Sequence, residues 1–312
     1  KQIYGVGRNH YGQLGINKKT YAEPYPILIN NPILIKANII SIKCGYEHSL
    51  FLTLKGIVFG CGNNKNGQIG VGKSIQKCHN ITEIKHFQNR YNNSATIFSN
   101  IVIKKIACTR RTSFCLDENG RLFAFGQNDF SLLSFGETHH YISSQHVYIP
   151  LLIPTLQRLI KKSPKTIKRI IDIKVGVCHA LVLTDKHYVY AWGSAKACGI
   201  TEIGIQDYPT IIGSHLERFY NNNASVRNMK PYKVKRISCG NYHSICNTFD
   251  GNLVVFGKNE NGQCLLKKSK FVRPTKIYVK DVVINKGFDP DFCDLYPHGS
   301  FDSTLIGIET HN

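Results

Sequence analysis

Val58-Phe-Gly-Cys-Gly62, followed by Asn64 and the turn Gly67-Gln-Ile-Gly70, is the stretch of sequence that decides the fold. Its first part, a short apolar segment that ends in glycine, recurs five times along the chain. Self-similarity at a nearly constant period indicates a fold built from repeated units. At successive intervals of 55, 64, 67 and 64 residues, the closing glycines are Gly7, Gly62, Gly126, Gly193 and Gly257.

The residues after each closing glycine repeat as well. An asparagine follows two positions later in four copies, and the fourth copy has Ala195 there. A tight turn begins five positions after the glycine, as in Gly12-Gln-Leu-Gly15 and Gly262-Gln-Cys-Leu265. The third and fourth copies keep only degraded forms of this turn, Ser131-Leu-Leu-Ser134 and Cys198-Gly-Ile-Thr201.

A second landmark, Ile42-Lys-Cys-Gly-Tyr-Glu-His48, keeps the same phase. It recurs at intervals of 64, 67 and 64 residues, at Ile106–Thr112, Ile173–His179 and Ile237–His243. Two landmarks with matching intervals predict one structural unit that is repeated over the whole chain. Because His48, His179 and His243 share one repeat position, we expect them to brace turns rather than to catalyse a reaction.

Each unit is predicted to contain four short strands. One copy gives Ile39–Cys44, Ser49–Thr53 and Ile57–Gly62, and a variable connection carries the outermost strand, as at Pro26–Ile29. Asn-Gly and Asp-Gly turns supply the positive φ that tight hairpins need. Ala180–Leu183 is apolar at every position, which favours a sheet covered on both faces. The predicted fold class is therefore all-β, a β-propeller of four-stranded blades.

The combined pattern resembles the repeat of the regulator of chromosome condensation family. An aromatic residue precedes Gly-x-Asn-x-x-Gly-Gln-Leu-Gly, and Val/Ile-x-Cys-Gly-x-x-His follows. The resemblance covers nearly the whole chain and implies a propeller, usually of seven blades, that acts through partners. In the family that the chain resembles, some members promote nucleotide exchange on the small GTPase Ran while bound to chromatin. Others are recognition modules attached to ubiquitin ligases, kinases or ciliary proteins.

The chain departs from the family pattern in its number of units. Five are recognisable, at approximately 1–56, 57–120, 121–186, 187–251 and 252–312. We expect them to form a single propeller domain over residues 1–312, either as five units or as part of a seven-bladed ring. The family tryptophan survives only as Trp192. Because the chain begins with Lys1, we expect it to be a fragment of a longer protein.

The two ends of the chain are predicted to complete one another. Gln2–Gly7 lacks the strand that precedes it in the other units, and Ser303–Glu309 lacks the strand that should follow. Pairing of these two segments would close the ring and leave no open sheet edge.

Composition limits the classes of function. The chain has 40 Lys and Arg against 20 Asp and Glu, a formal net charge of +20. Such a charge attracts nucleic acid, chromatin or acidic proteins, although codon bias in a chain rich in Asn and Ile explains it equally well. The eleven cysteines show no CxxC pair and no regular Cys/His spacing. We therefore expect free thiols and an intracellular location, nuclear or cytoplasmic. No apolar run reaches the roughly 18 residues of a membrane span.

No catalytic, cofactor or metal site is predicted. Gly5-Val-Gly7 and Gly60-Cys-Gly62 suggest a phosphate-binding loop, but the third glycine of that fingerprint is missing and the element recurs as a repeat. No Ser/His/Asp triad, carboxylate pair or metal-ligand set stands out. We expect a protein that is not an enzyme and that binds no cofactor.

The variable connections are the predicted places for partner contacts, because loops on a rigid scaffold carry recognition. We expect Lys73–Asn100 and Glu202–Tyr232 to be polar and mobile. A short helix is predicted at Leu151–Lys162. The basic segment that overlaps its end contains Lys161, Lys162, Lys165, Lys168 and Arg169. This segment is a phosphate contact, a nuclear-import patch, or an ordinary solvated loop.

An insertion at Asp281–Asp302 has the opposite character, because acidic residues cluster there among aromatic ones. Aromatic anchors with charges around them suit a protein contact. The alternative is a divergent connection of the fifth unit. The candidate contacts are Phe288, Asp289, Asp291, Phe292, Asp294 and Tyr296.

The predicted function is that of a non-enzymatic protein-interaction propeller, whose most concrete form is nucleotide exchange on a Ran-like small GTPase. The first alternative is a scaffold that associates with chromatin or nucleic acid through its basic loops. A third is a targeting module for a catalytic domain elsewhere in the full-length chain.

Overall fold

The computed structural model describes residues 2–91, 94–136, 146–213, 231–278, 293–299 and 304–310. Strands dominate these residues, which confirms the predicted all-β class. The chain divides into two compact units. The first comprises Lys1–Asp129 with Phe135–Gln157, and the second comprises Phe130–Ser134 with Arg158–Asn312.

The first unit begins with two antiparallel strands, β1 (Tyr4–Arg8) and β2 (Ala22–Leu28). The short helix α1 (Pro32–Lys36) follows, and the Asn31 side chain caps it by accepting a hydrogen bond from the Ile33 N–H. A four-stranded antiparallel sheet comes next, in the order β3 (Ile39–Cys44), β4 (His48–Thr53), β5 (Val58–Asn63) and β6 (Lys77–Glu83). The first three of these strands match the predicted bounds to within one residue at each end.

A six-stranded sheet completes the first unit. The hairpin of β7 (Gln88–Tyr91) and β8 (Ser94–Ile97) is added to its outer side, where β7 runs parallel to β12. Lys73–Asn100 therefore differs from the expected mobile connection, because it contains β6 and this hairpin. The other four strands are antiparallel: β9 (Ile103–Cys108), β10 (Thr112–Asp117), β11 (Leu122–Gln127) and β12 (His146–Leu152).

Helix α2 (Pro154–Lys162) starts three residues later than predicted, because Leu151 and Leu152 end β12. A 3₁₀ turn lies earlier in the chain, at Asp129–Ser131. The second unit contains two four-stranded antiparallel sheets and the separate pair β21 (Cys293–Gly299) and β22 (Thr304–Thr310). The first sheet is β13 (Ile170–Val175), β14 (His179–Thr184), β15 (Val189–Ser194) and β16 (Ile205–Ile211). The second sheet is β17 (Val234–Cys239), β18 (His243–Thr248), β19 (Leu253–Asn259) and β20 (Ser269–Ile277).

These sheets confirm the prediction of four-stranded antiparallel blades. Each four-strand series starts with the strand of the second landmark. The units predicted from the sequence start instead at the strand that ends in glycine, which is the third strand of a series. The boundaries at 57, 121, 187 and 252 therefore fall in the hairpin between the second and third strands of a sheet. The number of blades and the single domain over 1–312 stay predictions.

The ring closure also stays a prediction. In the described residues β1 pairs with β2, and β22 pairs with β21. Ser303, at the start of the predicted closing segment, lies outside them.

The second strand of each four-strand series forms the core. All residues of β4, β10, β14 and β18 are buried, as expected for strands covered on both faces. The outermost strands are more exposed, and four of them contain proline, which lacks the N–H that a central ladder position requires. These prolines are Pro24 and Pro26 in β2, Pro150 in β12, Pro209 in β16 and Pro274 in β20.

Four of the five repeated glycines lie where the third strand bends past the turn between the first two strands, whereas Gly7 on β1 has no atom within 4 Å of an added Cβ. At Gly62 an added Cβ would lie 2.3 Å from the Glu47 carbonyl oxygen. The next residue, Asn63, donates its N–H to the same oxygen at 2.8 Å. The conformation needs a positive φ, which only glycine adopts at low cost. With φ between 100° and 112°, the five positions are Gly7, Gly62, Gly126, Gly193 and Gly257.

Candidate functional site

The repeated histidines His48 and His179 connect neighbouring sheets. His48 on β4 is buried, and its Nε2 lies 2.8 Å from Oγ of Ser113 on β10. His179 on β14 repeats this contact with Ser244 on β18, at 2.7 Å. Ser113 and Ser244 each stand one residue after the histidine position of their own repeat. The histidine of one repeat therefore contacts the serine of the next repeat. His243 is also fully buried.

The direction of the His48 hydrogen bond follows from the partners of Ser113. The Ser113 hydroxyl donates its single proton to the Gln68 carbonyl oxygen at 2.7 Å. Ser113 Oγ must then accept from His48, which places the imidazole proton on Nε2. Gln68 belongs to the Gly67–Gly70 turn, in the repeat of His48. One serine thus bonds two features of the preceding repeat.

Burial keeps these imidazoles neutral. It lowers the pKa of His48 to about 4. Burial also lowers the pKa of His179 to about 3, with a further contribution from the nearby His243. A general base at neutral pH works best with a pKa near 7. The geometry and the lowered pKa values support the predicted bracing role, which stays a prediction.

Trp192 supplies a hydrogen-bond donor in a repeat that lacks the serine. There the sequence has Thr112 in place of the histidine and, one repeat later, Ala180 in place of the serine. Trp192 faces Ala180 across β14 and β15, and its Nε1 donates to the Leu132 carbonyl oxygen at 2.8 Å. Leu132 occupies the repeat position of Gln68. The indole therefore supplies the donor that a serine supplies elsewhere, which the sequence analysis missed although Ala180 interrupts a repeated serine.

The predicted basic residues are all accessible. They are Lys161, Lys162, Lys165, Lys168 and Arg169, and each is exposed. The first two end α2, where cations interact favourably with the helix C-terminus.

Asp185, in the turn between β14 and β15, forms hydrogen bonds with the end of the basic segment. The backbone N–H groups of Lys168 and Arg169 donate to its Oδ1, at 2.9 and 3.2 Å. Partial burial opposes ionisation of Asp185, but these donors and the charges of Lys186 and Arg169 outweigh it and lower the pKa.

The acidic and aromatic insertion is described only in part. Phe288, Asp289, Asp291 and Phe292 lie outside the described residues. Asp294 and Tyr296 lie on β21, opposite Glu309 and Gly307 of β22. The second half of the insertion is thus a strand rather than only a connection.

Within the residues that the structure describes, no group of three or more His, Cys, Asp or Glu side chains is arranged to bind a metal ion. No described helix is long and apolar enough to cross a membrane. Ten cysteines have described side chains, and all ten are free thiols, most of them buried. Burial raises the pKa of Cys108 and of Cys239 to about 12, so these thiols stay protonated at neutral pH.

The structure repeats a four-stranded antiparallel sheet, and side chains at repeated positions form hydrogen bonds between neighbouring sheets. These features define a β-propeller fold built from repeats. A model of the RCC1-like domain matches residues 1–287, and the chain belongs to this family. The predicted resemblance is therefore confirmed.

Curated relatives carry this domain in different contexts. The chain is 27% identical over 278 residues to the secretion-regulating guanine nucleotide exchange factor of Bos taurus, covering 88% of this chain and 52% of that protein. It is 27% identical over 264 residues to the probable E3 ubiquitin-protein ligase HERC6 of Homo sapiens, covering 84% of this chain and 22% of that protein. The chain thus spans about half or less of the length of these relatives.

Solved structures share the fold. Human WBSCR16 superposes with a TM-score of 0.69 and 20% identity, covering 99% of this chain and 67% of that one. Prp20p of Saccharomyces cerevisiae, whose binding to Gsp1p and histones was studied with its structure, gives a TM-score of 0.66 and 21% identity, covering 99% and 64%. At these identities the likeness establishes the fold.

Proposed function

We propose that the chain is a non-enzymatic interaction propeller that promotes nucleotide release from a small GTPase of the Ran class. The observation that carries this proposal is the similarity to the bovine exchange factor over 88% of the chain. The binding of Prp20p to Gsp1p, in a structural neighbour, supports the same class of partner.

The hydrogen bonds between repeats favour partner contacts through the variable connections rather than through the sheets. In the described residues His48, Ser113 and Trp192 form hydrogen bonds between repeats, so these side chains serve the scaffold and the loops are its variable part. An exchange factor needs no general acid or base. It needs a surface that binds the nucleotide-free GTPase more tightly than the loaded one, because only differential affinity shifts an equilibrium.

We assign that surface to the acidic and aromatic insertion. Its candidate contacts are Phe288, Asp289, Asp291, Phe292, Asp294 and Tyr296. Buried aromatic anchors with a charged rim dominate many protein interfaces, and carboxylates complement basic patches on a partner.

A nucleotide-release assay tests the proposal. Ran loaded with fluorescent GDP is mixed with the chain, and we expect release to accelerate with chain concentration. Phe292→Ala should reduce the acceleration at least tenfold, as expected for a hot-spot aromatic. Tyr25→Ala, at an exposed aromatic of β2, is the matched control and should leave release unchanged. No acceleration at micromolar chain contradicts the exchange activity.

A second candidate function is a nuclear or cytoplasmic scaffold that associates with chromatin or nucleic acid. It is favoured by the exposure of all five basic residues between Lys161 and Arg169. Nucleic-acid binding should then weaken steeply with salt, because each neutralised phosphate releases counterions. Binding that is absent, or that does not depend on salt, contradicts this candidate.

The third candidate is a targeting module within a longer protein. The match to HERC6, in which this chain covers 22% of that protein, favours a domain that accompanies others. Capture of the same partner by the isolated chain and by the full-length protein would test it.

A further inference from the structure

Basic and aromatic residues extend from the basic segment over neighbouring turns of the second unit. We call this surface the basic–aromatic strip. Most of its side chains are exposed, and Phe249 is exposed over 56% of its surface. The strip consists of Lys168, Arg169, Lys186, His187, Tyr188, Lys233 and Phe249.

Backbone hydrogen bonds make the strip continuous. Asp185, which precedes Lys186, donates its N–H to the Arg169 carbonyl oxygen at 3.0 Å. Val234, which follows Lys233, donates its N–H to the His187 carbonyl oxygen at 2.8 Å. The three chain segments are therefore neighbours rather than separate loops.

Side chains connect the same segments. Lys233 donates from Nζ to the Lys186 carbonyl oxygen at 2.7 Å and lies 3.9 Å from the ring centre of Tyr188. The rings of His187 and Phe249 meet edge to face, with centroids 4.6 Å apart. Phe249 thus stands on a defined support, with much of its ring accessible.

His187 occupies a position at which the other turns have glycine. The equivalent turns place Gly56, Gly120 and Gly251 there, with φ of 80°, 77° and 74°. His187 adopts the same left-handed backbone with φ of 63°, which strains a residue that has a Cβ. Backbone strain of this kind concentrates at functional positions. The strained residue here is the one that contacts Phe249.

The charge of the strip distinguishes it from the matching turns of the first unit. There the turn positions carry Lys55, Glu118 and Asn119, and Arg121 pairs with Asp117 at 2.6 Å. In the strip the basic side chains dominate.

The two carboxylates near the strip are already engaged. Asp185 accepts backbone N–H groups, and Asp250 pairs with Lys276. Asp185 stays ionised and offsets part of the charge of Lys186 and Arg169, but the four basic side chains of the strip outnumber it.

We propose that the basic–aromatic strip binds single-stranded nucleic acid, with its basic side chains on phosphates and Phe249 stacked on a base. The proposal rests on the second candidate function and names its ligand. A positively charged track with accessible rings is the common design of single-strand binding, because every base has a face that stacks. A duplex hides those faces, so phosphate contacts alone would not need the aromatic ring.

Fluorescence anisotropy with the whole chain tests the proposal. The probes are a labelled oligo(dT) of about 12 nucleotides, within the usual range of site sizes, and a duplex of the same length. We expect tighter binding of the single strand. Phe249→Ala should weaken single-strand binding about tenfold, as loss of one stacked base does, and should leave duplex binding nearly unchanged.

A matched pair of charge reversals tests the location. Lys186→Glu and Lys55→Glu make the same change at the same turn position of different sheets, and both side chains belong to turns. Lys186→Glu should weaken binding and reduce its salt dependence, whereas Lys55→Glu should leave both unchanged. Equal effects of the two variants would overturn the assignment to the strip.

His187→Gly separates binding from folding. Glycine relieves the backbone strain, so the variant should melt at a higher temperature while it binds oligo(dT) more weakly. Equal affinity for single strand and duplex, or an unaffected Phe249→Ala, overturns the proposal but leaves the scaffold function standing. If the chain binds neither the single strand nor the duplex, both this proposal and the scaffold function are overturned. Binding of polyglutamate in place of the oligonucleotides would assign the strip to an acidic protein and overturn the proposal.

Discussion

Two junctions between repeats satisfy a turn carbonyl by different chemistry: the serine junction at Ser113 in the first unit and the tryptophan junction at Trp192 in the second. In the serine junction, Ser113 accepts from His48 and donates to the Gln68 carbonyl oxygen. In the tryptophan junction, Trp192 donates from Nε1 to the Leu132 carbonyl oxygen. The comparison teaches that the repeat requires a donor for the turn carbonyl rather than a particular residue.

The two junctions also distribute their stabilisation differently. The serine junction depends on polar partners that are all buried, so each lost member leaves another unpaired. The tryptophan junction depends on one large, fully buried ring that also makes a hydrogen bond. Apolar burial thus replaces part of what the histidine and the serine provide elsewhere.

The largest expected effect comes from removing the ring. Trp192→Ala should lower the free energy of unfolding by about 4 kcal/mol, since it deletes a buried aromatic. Trp192→Phe should lower it by about 2 kcal/mol, because the Leu132 carbonyl oxygen loses its donor. Urea unfolding followed by circular dichroism measures both. Equal losses would show that burial of the ring is not what distinguishes the tryptophan junction.

Acid should affect the serine junction through His48. Its pKa is about 4 when folded and about 6.5 when unfolded, so below pH 6.5 the unfolded chain binds more protons. Stability should be fully present above pH 6.5 and fall by about 3 kcal/mol as the pH falls towards 4. Free energies of unfolding at pH 7 and pH 5 measure this. His48→Gln should show a smaller loss between the two values, and an unchanged loss would contradict the assignment.

Removal of the serine should have a smaller effect. Ser113→Ala leaves the His48 Nε2–H and the Gln68 carbonyl oxygen without their partner, so we expect a loss of about 2 kcal/mol. Ser74→Ala, at an exposed serine, is the control and should stay within about 0.5 kcal/mol of the parent chain. A loss equal to that of the control would mean that the serine does not connect the sheets.

The smallest effect tests whether the junctions are interchangeable. Ala180→Ser should change stability by less than about 1 kcal/mol, because Trp192 already donates to Leu132. Combined with Trp192→Phe it should recover about 1 kcal/mol of the loss, since the new hydroxyl lies where the other repeats place their donor. A double-mutant cycle measures this coupling, and strictly additive effects would contradict the comparison.

The sequence predicted the parts of the fold that recur. The intervals of Gly62 and its equivalents, and of His48 and its equivalents, predicted the sheets because each unit must satisfy the same backbone geometry. The β7–β8 hairpin was missed, since it occurs once and its polar residues show no period. The tryptophan junction was missed because it joins a strand position to a turn whose own motif is degraded at Ser131–Ser134.

The candidate sites were less predictable for a related reason. Lys168 and Arg169 were visible as a run of charge, but His187, Lys233 and Phe249 are far from them in sequence. Only the packing of turns brings these residues into one surface. A histidine in place of a turn glycine is the signal that could have identified it.

The prolines of the outermost strands bear on how the molecule behaves at high concentration. An open edge offers N–H and C=O groups to any other extended chain, and proline removes one of the N–H donors. β2, β12, β16 and β20 are interrupted in this way, and β12 is covered in addition by β7. The sequence of β6, Lys77–Glu83, has no such interruption. If copies of this chain aggregate by strand addition, β6 should therefore accept an added strand more readily than β2, β12, β16 or β20.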